Sequence, residues 1–397
     1  MDRLISTAEA DALITAAVPA VTAERVPLAE ALGRTLAAPI LADRDLPPYP
    51  RSMMDGIAFH SSSAQPLAIQ GLHAAGDPPP APLQPNHAWE IMTGASVPAD
   101  CDTVIPYEDL EWLRRPAAGR GSGGPPQTQI QAAYHPGQFI HPTGSDAKAG
   151  DILIPAGRLI GPAEIAIAAS VGATHPEVAA RPRIALITSG DEVVPPDAAP
   201  EPWQIRASNG PMLEAALRQL GHAAVSHHIP DEPEAARATL HRALDTADLL
   251  ILCGGISKGK KDLIRPLLEE RLGPPAFHGV RQRPGKPLAF WPGPPTVFAL
   301  PGNPVSVLAT FTRHVIPFLI RREGREPHHP KRFLPKNTEP LPKFAWFLAL
   351  DAAGNPLPPR NSGDFVSISG LTGFLEIPPS SDFTQQPLSF FPLYPFS

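Results

Sequence analysis

The chain has 397 residues, a formal net charge of -6 and a pI near 6.2, which excludes the basic footprint that nucleic acid or an anionic membrane surface would require. That length exceeds one compact core, so several domains are expected, and the composition of 43% hydrophobic and 18% charged residues is that of a globular protein. The 54 prolines imply long ordered turns, because proline is excluded from helix interiors and central strands.

From Ser6 to Ala38, apolar residues recur at helical spacing (Ala8, Ala12, Leu13, Ala17, then Leu28, Ala31, Leu32, Leu36), predicting two helices with a break near Val21 to Pro27. From Pro47 to about Gln138 the pattern changes to short strand-like runs, GIAF, PLAIQG, WEIMTG and DTVIPYED, as in a compact β domain. Within it residues 114–128, RRPAAGRGSGGPPQT, have little to bury and read as a mobile hairpin tip. Helical character returns in PAEIAIAASVG, where Pro162 suits a first turn and Gly172 a stop, so that a helical region is split by the β insertion.

A regular alternation follows. Strands at 184–189, 223–229 and 248–253 are interleaved with helices at 209–221, 233–245 and 262–272, and then come strand TVFAL at 296–300 and the helix PVSVLATFTRHVIPFLI. Strands alternating with helices imply a parallel sheet with right-handed crossovers, covered by helices on both faces. After about Arg325, the short runs WFLAL and GFLEI suggest a small C-terminal β domain. The expected division is thus 1–46 with 139–179 as a helical N-terminal or linker domain, 47–138 as the inserted β domain, 180–325 as an α/β domain and 326–397 as a C-terminal, β-barrel-like domain.

Ligands of an open α/β sheet collect beyond the carboxyl ends of its strands. Four loops are therefore expected on one rim: Gly190-Asp191-Glu192, Asp231, GGISKGKKD from Gly254, and PGNP at 301–304. Gly254, Gly259 and Lys260 satisfy all but the last position of a triphosphate-binding loop, but Lys261 replaces the hydroxyl that ligates magnesium. Gly254 and Gly255 permit a sharp turn and Ser257 can cap it, an arrangement suited to a phosphate or similar oxyanion. The carboxylates Asp55, Glu192, Asp231 and Asp262 are candidate metal ligands or bases. Against them, RPGKP presents Arg283 and Lys286 from a stiff loop, and a rim carrying acids and cations together suits an anionic substrate with a divalent metal. The fourteen histidines show no paired ligand spacing.

Cys101 and Cys253 form neither a disulfide framework nor a metal pair and suit a reducing cytoplasm. The opening MDRLISTAEADAL lacks the apolar region of a secretory signal, and no apolar run reaches membrane-span length, so a soluble cytoplasmic protein is expected.

In order, LPPYPRSMMDGIAF, IMTGASVPADCDTVIPYED, GSDAKAGDILIPAG, ITSGDEV, SNGPML, CGGISKGKKD, RPGKP and FALPGNPVS resemble the molybdopterin molybdenumtransferases, whose eukaryotic relatives include the C-terminal part of gephyrin. The resemblance covers about residues 6–325 and is weaker beyond. It implies a three-layer α/β molybdopterin-binding domain, and a magnesium-dependent transferase of molybdenum cofactor biosynthesis that inserts molybdenum from molybdate into adenylylated molybdopterin with release of AMP. It also implies a homodimer whose clefts are shared between subunits.

Carried over by motif, Asp55, Thr93, Asp146, Glu192, Asp231 and Asp262 take the acidic and hydroxyl positions of the cleft, with Glu192 and Asp262 as metal ligands. Ser189, Gly190, Asp191, Ser208, Asn209, Gly254, Gly255 and Ser257 take molybdopterin-binding positions, as do Gly302 and Asn303; Arg283, Lys286, Pro301 and Pro304 take the molybdate- and phosphate-facing side. The chain departs from the pattern at Ile57, His141, Lys258, Lys260 and Leu263, where extra lysines either tighten anion binding or displace the metal. Two other expectations stand beside this one: a binding or scaffold protein that keeps the cleft without turnover, and another enzyme built on the same α/β domain, such as an adenylyltransferase or a nucleotide amidase.

Overall fold

A computed structural model describes residues 3–114, 125–229, 232–255, 263–334, 341, 343–379 and 386–393. Its centre is a six-stranded sheet in the order Ala224–Ile229, Ile184–Ser189, Leu249–Cys253, Thr296–Leu300, Ala289–Trp291, Phe277–His278. The first four strands are parallel, as the alternating pattern predicts; Ala289–Trp291 is antiparallel to Thr296–Leu300 and Phe277–His278 to Ala289–Trp291, an addition the alternating pattern does not contain. Residues of one strand alternate between two cores: Ile184 and Leu186 pack with helices Asn209–Gln219 and Pro304–Thr310, whereas Ala185 and Ile187 pack with Pro233–Thr246 and Ile264–Leu272. Period-two burial on both faces makes this a three-layer α/β body.

The helices start where chemistry supplies caps. Pro233 opens one, with the Glu232 carboxylate accepting from the Glu234 and Ala235 amides at 3.2 and 2.7 Å. Pro162 opens Pro162–Ser170, with Glu164 reaching back to the Gly161 amide at 2.9 Å.

The expected second N-terminal helix is absent. Helix Thr7–Ala16 forms, but Leu28–Glu30 is only a single 3-10 turn. Gly33 turns left-handed at φ +71°, and the amides of Leu28, Gly33, Leu36 and Ala37 donate to the distant carbonyls of Thr174, Ile160, Arg158 and Glu177. The helical spacing of Ala31 and Leu36 instead reflects their burial against Pro162–Ser170, while Leu32, at 60% exposure, points away. Short pairs, Ala23–Arg25 with Glu177–Ala179 and Ile40–Leu41 with Ile152–Ile154, complete that body. Helix Thr7–Ala16 does not share its core: Ala10 and Ile14, with Ile5, Ala17 and Val18 beside them, pack into the α/β body, away from Val26, Ala31 and Leu36.

The insertion forms a six-stranded sheet, Thr103–Pro106, Gly56–Phe59, His87–Ile91, Leu67–His73, Gln127–Ile130, Leu110–Arg114. Its last two strands flank the expected hairpin tip, most of which lies outside the described residues. The C-terminal expectation narrows to a five-stranded sheet in the order Gln282–Arg283, Ala345–Leu350, Gly373–Ile377, Leu388–Pro392, Lys331–Arg332. Its outermost strands are two residues long, and one of them is lent by the RPGKP region of the α/β body. Among the described residues no helix is long and apolar enough to cross a membrane.

Candidate functional site

Three of the four predicted loops meet. Ser189, Gly190 and Glu192, then Gly254 and Gly255, then Gly302, Asn303 and Pro304 line one cavity of about 450 Å³ at the carboxyl ends of adjacent parallel strands, together with Ser208 and Asn209 at a helix start. Asp231, Ser257, Lys258, Lys260 and Asp262 lie outside the described residues. Asp191, an expected binding residue in the same loop, is exposed and has an interaction of its own.

Glycine is required at this floor. Gly255 is left-handed at φ +68°, and a Cβ there would stand 2.6 Å from Ile264 Cδ1; at Gly254, φ +88°, it would meet Ser189 Oγ at 3.3 Å. Gly190, φ +120°, lies directly under the Glu192 carboxylate, which a Cβ would approach to 2.5 Å. The loops are also tied to one another: the Asn209 side-chain amide donates to the Gly302 carbonyl at 2.7 Å, and the Gly254 amide to the Leu300 carbonyl at 3.3 Å. Cys253, buried at the same floor, has its thiol pKa pushed up by burial, which leaves it a neutral packing group.

A second cavity, about 760 Å³, adjoins the first. Gly302 and Asn303 line both, and its other walls are Arg283 and Lys286 from the RPGKP loop and residues 358–362 of the C-terminal portion. Asn303 joins the two portions, its side chain donating to Ser362 Oγ at 2.7 Å, while the Val305 amide donates to the Ser362 carbonyl at 3.1 Å. Pro301 lines this second cavity only and Pro304 the first only. Arg360, Asn361 and Ser362 are missed by sequence reasoning. No periodicity marks them, and only the cluster of prolines and polar residues PPRNSGD hints at an ordered loop.

The remaining predicted residues lie elsewhere. Asp55 Oδ1 accepts from both the amide and the hydroxyl of Thr93, each at 2.6 Å, and these two hydrogen bonds hold its exposed carboxyl below the ordinary range. Asp146 Oδ1 lies 2.9 Å from His141 Nε2, whose Nδ1 is 3.1 Å from Arg51 Nη2. Arg51 pairs with His141, Asp55 follows the same Arg51–Ser52 strand, and the Gly94 amide donates to the Ser52 carbonyl at 2.9 Å, so Asp55, Thr93, His141 and Asp146 gather around one short strand as a polar seam. None of Asp55, Thr93 or Asp146 lines either cavity of its own chain.

Two family descriptions match the chain: "MoeA N-terminal region (domain I and II)" over residues 5–172 and "Probable molybdopterin binding domain" over residues 185–321. A molybdopterin molybdenumtransferase of Synechocystis is 34% identical over 369 residues, covering 87% of this chain and 88% of that protein. Gephyrin of Dictyostelium discoideum is 30% identical, covering 76% of this chain and 47% of its own length. Among solved structures, a molybdopterin biosynthesis MoeA protein of Pyrococcus horikoshii superposes with a TM-score of 0.82 at 28% identity, covering 98% and 99% of the two chains.

Proposed function

The chain belongs to the molybdopterin molybdenumtransferase family and acts in molybdenum cofactor biosynthesis, and from that premise we propose that it transfers molybdenum from molybdate to adenylylated molybdopterin with release of AMP. The observation that carries this reading is the adjoining pair of cavities. One has a glycine floor where backbone amides can face a pterin and its phosphates, and the other has the cations Arg283 and Lys286.

In this reading Ser189, Gly190, Asp191, Ser208, Asn209, Gly254, Gly255 and Ser257 receive molybdopterin, while Arg283, Lys286 and Pro301 hold the oxyanion. Gly302 and Asn303 span the border, and Pro304 faces the phosphates from the first cavity. Fixed cations and amides in a cleft stabilise an anion at little reorganisation cost, which is how phosphate and molybdate are brought together.

Magnesium fits the residues as a shared ion. Among the described residues no cluster of three or more His, Cys, Asp or Glu side chains could hold a metal alone, and magnesium is commonly bound through one or two carboxylates together with substrate phosphates. Glu192, folded over Gly190 at the cavity, and Asp262 would hold it, and when bound it neutralises charge on the phosphates.

The seam of Asp55, Thr93 and Asp146 is assigned to the cleft of a second copy, in a cytoplasmic homodimer, with Asp231 on the rim. The division into a linker body, an inserted β domain, an α/β domain and a C-terminal β domain serves that arrangement, since it leaves the seam on a body separate from the rim.

The test is AMP release from adenylylated molybdopterin by purified protein, with magnesium, in the presence and absence of molybdate. Molybdate-dependent release supports the transferase; tight binding of the adenylate with no release in either case would overturn it in favour of a carrier.

A further inference from the structure

Beneath the RPGKP loop lies a chain of buried polar groups that reaches the base of the second cavity only at Gln282. The helix that starts at Pro304 widens into a π turn at Phe311–Val315 before resuming at Ile316–Arg322. The cause is local: Pro317 lacks the amide that would bond back to the Arg313 carbonyl, and π turns absorb such a break.

Within that turn Arg313, 5% exposed, is fixed from three sides. Asp11 accepts from Nη1 and Nη2 at 2.6 Å each, Glu376 accepts from Nε at 2.9 Å, and the Phe391 ring lies 4.3 Å from the guanidinium. The next residue, His314, is 1% exposed, and its Nε2 lies 2.9 Å from Oε1 of Gln282, which is itself fully buried.

Gln282 passes the contact on. Its Nε2 donates to the Gly285 carbonyl at 2.8 Å, between Arg283 and Lys286. Because a carbonyl only accepts, this bond orients the amide, leaving Oε1 toward the histidine and requiring Nε2–H of His314 to be the donor. Nδ1 of His314 has no hydrogen-bond partner, consistent with a neutral ring; burial, aided by Arg313, lowers its pKa to about 3. Gly285 is seated on the same helix: at φ +90° a Cβ would come within 2.4 Å of Thr310 Cγ2. Gln282 and Gly285, both buried, form the base of the 760 Å³ cavity, and Arg283 and Lys286, both exposed, line it above them.

We propose that His314 and Gln282 are positioning residues for the oxyanion. By holding the Gly285 carbonyl they set the relative placement of Arg283 and Lys286 before the anion arrives. This rests on the reading that the RPGKP loop binds molybdate. Without the tie, the carbonyl is a buried acceptor with no partner, the loop relaxes, and part of the binding free energy goes into re-ordering the two cations.

The experiment compares His314→Gln, whose amide can reach where Nε2 stands, with His314→Asn, whose amide stops at the level of Nδ1. Each is assayed for AMP release at varied molybdate and at varied adenylylated molybdopterin. His314→Asn is expected to raise the KM for molybdate about tenfold while leaving the KM for the adenylate within about twofold, the scale of one lost buried hydrogen bond. His314→Gln should stay near wild type. Gln282→Met, which cuts the tie from the strand without touching the helix, should reproduce the asparagine variant and serves if that variant does not fold.

Equal behaviour of the Gln and Asn variants, or both KM values rising together in His314→Asn and Gln282→Met, overturns the positioning role. Lys286→Ala separates the two levels. If it leaves the molybdate KM unchanged, the loop is not the oxyanion site and both readings fall. If it raises that KM while His314→Asn and Gln282→Met do not, only the positioning role falls.

Discussion

The rim of the α/β body and the seam around Asp55 carry similar polar residues but present them differently. On the rim, Glu192, Asn209, Gly254 and Asn303 arrive on loops that follow adjacent strands or open helices, and together they wall a cavity within one chain. In the seam, Asp55 and Thr93 satisfy one another, as do His141 and Asp146, on a surface that walls neither cavity. A parallel sheet gathers its loop residues by topology, so the site is complete in outline once the sheet forms. A seam of self-satisfied polar residues has chemistry to offer only when another surface covers it.

The largest expected effect tests the rim. Glu192→Gln, which keeps size and removes the charge, should lower kcat/KM for molybdate-dependent AMP release about 100-fold, the scale of losing one preorganised electrostatic partner. A loss below tenfold would remove Glu192 from the metal-holding pair.

The next expectation tests the seam by mixing. Asp55→Asn should also be severely impaired, although Asp55 lines no cavity of its own chain. If clefts are shared, co-refolding it with Glu192→Gln gives mixed dimers with one intact cleft, and random pairing restores about a quarter of wild-type turnover. Failure to restore any activity, with mixed dimers present, would place each cleft within a single chain.

The smallest expected effect on turnover lies in the joint between the α/β body and the N-terminal body that carries Thr35. Glu323, 8% exposed, accepts from Thr35 Oγ1 at 2.9 Å and Arg325 Nη2 at 2.7 Å, with His222 Nε2 at 3.3 Å. Burial alone would raise its pKa, but the hydrogen bonds from His222 and Arg325, with their charges, outweigh it and hold the carboxyl at about 2 against an ordinary 4.5. A depressed folded-state pKa contributes stability that is complete above the ordinary value and lost as pH falls through the folded one. Glu323→Gln should therefore cost up to about 3 kcal/mol at pH 7 in denaturant unfolding, with the gap to wild type closing from pH 4.5 toward 2. A gap that is independent of pH would mean that the carboxylate's charge does not matter.

Much of the α/β body was legible because its signals are local. Strand IALITS and strand TVFAL form where the apolar runs place them, and the helices at 209, 233 and 264 begin within two residues of expectation. The failure at Leu28 to Leu36 has the opposite cause. Those apolar residues repeat at helical spacing, yet Gly33 and backbone bonds to residues 158–177 override a weak propensity. The antiparallel strand Ala289–Trp291 was hidden among prolines, and Arg360 to Ser362 reach the second cavity only through the folding of the C-terminal sheet.

From residues alone, then, came the class of the central domain, its glycine loops and the cations of RPGKP, because hydrophobic period, turn chemistry and motif are properties of short segments. The tertiary structure decided that PGNP would border two cavities, that the 358–362 segment would complete the second, and that His314 would lie under Gly285 through Gln282. Those are contacts between segments far apart in the chain, and which of them form depends on how whole faces pack, a question no short segment contains.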